Sequence, residues 1–113
     1  MIAVIFEVEL HPENKQDYLD IAAYLKGELE KTEGFISVER FQSLTQPEKL
    51  LSLSFWKDEE AVKSWRTLQI HREAQTKGRA YVFKDYRLRV ADVNRDYGMS
   101  SRQQAPEDSK KVH

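Results

Sequence analysis

The chain has 113 residues, with 18 basic side chains, 19 acidic ones and no cysteine. That length supports one domain, and charges that nearly cancel leave no electrostatic footprint for nucleic acid or an anionic membrane. Without cysteine there are no disulfides, thiolate metal sites or cysteine nucleophiles.

Ile2, Val4, Phe6, Val8 and Leu10 alternate with Ala3, Ile5, Glu7 and Glu9, a period of two that predicts a first strand. Pro12 ends it, since proline cannot serve a central ladder. From Glu13 to Glu33 the period becomes helical, with Tyr18, Ala22, Leu25 and Leu29 as the apolar stripe, Leu19 and Ile21 widening it, and Gly34 as the stop. Phe35 to Ser43 predicts a second strand and Lys49 to Trp56 a third, joined by the turn residues 44–48 as an antiparallel hairpin. In the third, Leu51, Leu53 and Phe55 alternate with Leu50, Ser52, Ser54 and Trp56, so one face carries a small polar lane beside a tryptophan.

Asp58 is placed to cap a further helix, with Glu59 and Glu60 at the positive end of its dipole and Ala61, Val62, Trp65 and Leu68 as its buried stripe. The phase slips around Thr67 to Ile70, which predicts two short helices, the second ended by Gly78. Tyr81 to Val93 predicts the last strand. Residues 98–113 hold almost nothing to bury and are expected to form a flexible tail, leaving residues 1–97 as the folded domain. No apolar run nears the ~20 residues that span a bilayer, and the N-terminus lacks the basic flank of a signal peptide. A soluble cytoplasmic protein is the expectation.

The order strand–helix–strand–strand–helix–strand is the split βαβ arrangement of ferredoxin-like α+β folds, with an antiparallel sheet. Strands one and three are apolar on both faces for part of their length, and one layer of helices covers only one face. A homodimer through the sheet is therefore expected, motivated by Ile2, Val4, Phe6, Leu51, Leu53, Phe55, Leu88 and Val90.

Residues 33–43 (EGFISVERFQS), the run from Leu50 to Arg79 with Trp56, the acidic helix start, Trp65 and His71, and the strand YRLRVADV resemble the antibiotic biosynthesis monooxygenase (ABM) domain over about residues 1–97. The resemblance implies a dimeric α+β barrel. It also implies one of three functions: a cofactor-free monooxygenase acting on a small aromatic, phenolic or quinol substrate, a haem-binding or haem-degrading protein, or a non-catalytic dimer that binds a small ligand.

Cofactor-free oxygenation needs an electron-rich substrate held dry, one base and one or two polar donors. His71 is the candidate base, because its ordinary pKa lies near neutrality. Trp56, Trp65, Phe6, Tyr81, Ser52 and Arg79 are the candidate substrate-binding residues. Packing in the core competes with a binding role for both tryptophans, and Arg79, like Arg72, competes as a solvated charge. Where cofactor-free members of the family carry an asparagine, four residues before the strand-end tryptophan, this chain has Ser52, which weakens an oxyanion donor. Where haem-degrading members carry an iron-binding histidine, ten residues after the second tryptophan, it has Gln75. Neither a cofactor nor a metal is therefore expected. No HExxH or glycine-rich phosphate loop is present.

Overall fold

A computed structural model describes residues 1–68 and 82–110. Chain order is β1 (Ile2–Leu10), a 3-10 turn (Pro12–Asn14), α1 (Lys15–Glu30), β2 (Phe35–Gln42), β3 (Lys49–Trp56), α2 (Glu59–Thr67) and β4 (Phe83–Asp92). The four strands form one antiparallel sheet in the order β2-β3-β1-β4. This is the α+β ferredoxin-like arrangement expected from the order of elements. α1 is shorter at both ends than its periodicity suggested: proline tightens the first turn, and the last N–H groups fold back on Glu28 and Leu29.

Local chemistry explains the joints. In the β2–β3 turn, the Ser43 hydroxyl accepts from the backbone N–H groups of Thr45 and Gln46 at 3.3 and 3.1 Å, and the Gln42 side chain donates to the Pro47 carbonyl at 2.7 Å. At the start of α2, Asp58 Oδ1 accepts from the Ala61 N–H at 2.9 Å, so the cap expected from sequence is formed. α2 ends at Thr67, where the phase slip was read. The second short helix and its Gly78 stop lie outside the described residues.

Register fixes what each face carries. One row across the sheet reads Arg40, Ser52, Phe6, Leu88, and the next reads Val38, Ser54, Val4, Val90. Both rows face the helices. The opposite face carries Ala3, Ile5, Leu51, Leu53 and Phe55 together with Glu7, Arg87 and Arg89. The eight residues that motivated a dimer are therefore split: Ile2, Val4, Phe6, Leu88 and Val90 lie on the helix side, and only Leu51, Leu53 and Phe55 lie on the other. Period-two alternation assigns faces within a strand, but only pairing relates one strand's faces to the next.

The core is in two parts. At one end Ile2, Leu29, Trp56, Ala61 and Trp65 pack together, and at the other Val8, Leu10, Tyr18, Leu50 and Val82. Residues 98–110, expected to be flexible, carry internal contacts: Arg102 donates to the carbonyls of Gly98 and Ser109 and lies over the Tyr97 ring, and Ala105 is buried. Among the described residues no helix is long and apolar enough to cross a membrane.

Candidate functional site

Between the two halves of the core lies a cavity of about 200 Å³. Its floor is the middle of the sheet, Val4 and Phe6 of β1 with Ser52 and Ser54 of β3. Its roof is α1, through Ile21, Ala22 and Leu25, and its far wall is α2, through Val62 and Trp65. The space follows from residue size. Two serines stand on an inner strand where aliphatic side chains would fill the layer, and Ala22 is the small residue of the α1 stripe. Close packing elsewhere leaves few such voids in a domain, so small residues meeting on facing elements leave this one.

Four residues chosen from sequence, Phe6, Ser52, Trp56 and Trp65, line this single cavity. The two tryptophans also belong to the core. Trp56 is 2% exposed, packs edge-on to Phe35 with ring centroids 5.3 Å apart, and approaches Trp65 at 6.4 Å. Its indole N–H donates to Ser54 Oγ at 2.9 Å, so Ser54 holds the tryptophan that ends the strand. Core and pocket are thus the same residues seen from two sides. His71, Arg79 and Tyr81, with Gln75, lie outside the described residues.

The polar end of the cavity was not read from sequence. Arg40 of β2 is the register partner of Ser52, it lines the cavity, and its Nε is buried without a hydrogen-bond partner among the described residues. Tyr18 of α1, buried and also lining the cavity, interacts with it. Burial pushes the Tyr18 hydroxyl above the usual phenol pKa, and the charge and hydrogen bonding of Arg40 offset part of that rise. Arg66 of α2 reaches the same cavity. The site is thus an apolar chamber with a cation, a phenol and a serine hydroxyl at one side. It suits an apolar molecule that carries one oxygen-rich end. Among the described residues its lining offers no imidazole or thiolate to a haem iron, and no group of three or more potential metal ligands exists.

Comparison with known proteins agrees with this fold. A conserved protein from Methanosarcina mazei Go1 superposes with a TM-score of 0.74 at 26% identity, over 80% of this chain and 89% of that one. An uncharacterized protein of Bacillus subtilis, YqjZ, is 30% identical over 82% of this chain and 79% of its own length. The jasmonate monooxygenase ABM of Pyricularia oryzae is 48% identical over 82% of this chain, yet the match spans 43% of that longer protein. The antibiotic biosynthesis monooxygenase model matches residues 1–77. With that match, the fold and the strand-end Trp56 beside Trp65, the chain belongs to the antibiotic biosynthesis monooxygenase family.

Proposed function

We propose that this chain is a monooxygenase whose substrate occupies the cavity between helices and sheet. The substrate is a small, largely apolar molecule with an ionisable oxygen. Phenols and quinols are the members of that class able to reduce dioxygen themselves. The observation that carries the reading is the chamber itself, apolar walls with a polar row at one side.

For such a substrate the chemistry balances without an external reductant. Proton removal gives an anion, which transfers an electron to dioxygen. Recombination forms a C–O bond, one oxygen atom stays as a carbonyl and the other leaves as water. The chain's part is to exclude water, take the proton and hold the anion. His71 takes the proton in this scheme, Arg79 serves as a donor to the anion, and Ser52 contacts the polar end of the substrate. Trp56, Trp65, Phe6 and Tyr81 hold the ring. The relative named a jasmonate monooxygenase, of which this chain matches 43%, supports oxygenation as the activity; a substrate that cannot itself reduce dioxygen would need an external two-electron reductant.

A second copy completes the molecule in this reading. Neither α1 nor α2 lies over Ile5, Leu51, Leu53 and Phe55, which remain half-exposed on the helix-free face. A homodimer through that face would bury them.

Oxygen uptake by the purified protein over a panel of quinols, and of jasmonate with a two-electron reductant added, tests the function. General-base assistance is worth about 10²–10⁴-fold, so His71→Ala should lower turnover by that factor and leave the melting temperature unchanged. Uptake at the buffer rate by wild type, with saturable binding retained, would replace catalysis with ligand binding.

A further inference from the structure

The guanidinium of Arg40 keeps its charge in any protein environment. Burying its N–H groups costs free energy unless an acceptor meets them. Among the described residues its Nε has no partner and no carboxylate pairs with it. Of the groups nearby, Ser52 stands directly across β3 and Tyr18 lies over the same end of the cavity. Three donors therefore converge where the described residues pair no carboxylate with the guanidinium.

We propose that the cavity takes an amphipathic monocarboxylic acid, its carboxylate received by Arg40 with Tyr18 and Ser52 as flanking donors. The apolar body lies along Val4, Phe6 and Leu25. A carboxylate suits the site better than a phenolate, because the planar guanidinium fork donates to two oxygens side by side and a phenolate offers one. The carboxylate is a handle and not the reacting group. The proposal rests on reading this cavity as the substrate site, and it concerns binding alone.

Jasmonic acid and its methyl ester share one skeleton with and without the charge. Trp56 and Trp65 both line the cavity, so their fluorescence reports occupancy. A charge-assisted pair contributes about 1.5–3 kcal/mol, so wild type should bind the acid about ten- to a hundredfold more tightly than the ester. Arg40→Gln should erase that preference by weakening the acid and leaving the ester unchanged, and Arg40→Lys should keep part of it. Equal affinity for acid and ester in wild type, a comparison that depends on no variant's folding, would overturn the proposal. So would an absence of saturable acid binding, an acid preference that survives Arg40→Gln, or one lost in Arg66→Gln instead. Preference for the acid without oxygenation would sink the catalytic reading and leave Arg40 in place. Oxygenation without that preference would do the reverse.

Discussion

The carbonyl oxygen of Gly34 accepts from the Lys57 N–H at 2.7 Å, which ties the exit of α1 to the entry of α2. The backbone there has φ +86°, and a Cβ would stand 2.6 Å from the Cβ of Ala61. A left-handed conformation costs a side chain about 1–2 kcal/mol, and overpacking costs about 1–3 kcal/mol more. Gly34→Ala should therefore destabilise by about 2–5 kcal/mol, a fall in Tm of roughly 10 °C or more. A melt within about 2 °C of wild type would show that this joint yields more easily than its geometry implies. Sequence alone marked Gly34 as a helix stop, but the close approach to Ala61 belongs to tertiary structure. Arg40 was missed for a related reason. Within β2 it is one charge among Phe35, Ile36, Val38 and Phe41 and reads as a solvated side chain. A signal was present nonetheless: the turn at residues 44–48 opposes Ser43 to Lys49, and counting outward brings Arg40 across from Ser52 in the polar lane.

Among the elements, α1 and the β2–β3 hairpin were the most readable, because one long period and one short turn are local signals. The lane of Ser52 and Ser54 was also visible, but a serine lane on a solvent face would look the same until β3 is placed between β2 and β1. Faces could not be matched between strands, and so the apolar set assigned to the dimer mixed both. On the helix-free face, β1 carries Glu7 between two cations, hydrogen-bonded to Arg89 and with its carboxylate 3.7 Å from Lys49 Nζ. The Arg89 hydrogen bond, aided by Lys49, holds its carboxyl below the usual range despite some desolvation. A carboxylate whose folded pKa is lowered stabilises the fold above its unfolded pKa, and that stability is lost as pH falls through the folded one. Such half-exposed pairs are weak, so the effect should be small but signed. Wild type should melt above Glu7→Gln at neutral pH, with the gap closing from about pH 5 downward. A gap that widens in acid would contradict the assignment.

For the whole molecule, the helix-free face and the cavity lie on opposite sides of one sheet, so assembly and binding can be tested independently. An apolar interface through Leu53 and Ile5 should exceed about 2,000 Å² if it is obligate. Light scattering should return twice the mass of one chain at micromolar concentration, and Leu53→Glu should shift it toward one. A stable wild-type monomer would remove the dimer. The cavity's place in function rests on Ser52 and Ser54 leaving the middle of the sheet unfilled, so occupying that space from within is the most direct test. Ser52→Leu places an aliphatic side chain in an apolar chamber, and at about 25 cal/mol per Å² of apolar area buried it should keep the fold or stabilise it. Purified wild type and Ser52→Leu should be given the same quinol and jasmonate panel under ¹⁸O-labelled dioxygen, and the products read by mass spectrometry. Wild type should yield a product carrying one labelled oxygen atom, and folded Ser52→Leu should yield none. Labelled product at equal rates from both would place the chemistry outside this cavity, and none from wild type on any substrate would contradict monooxygenation itself.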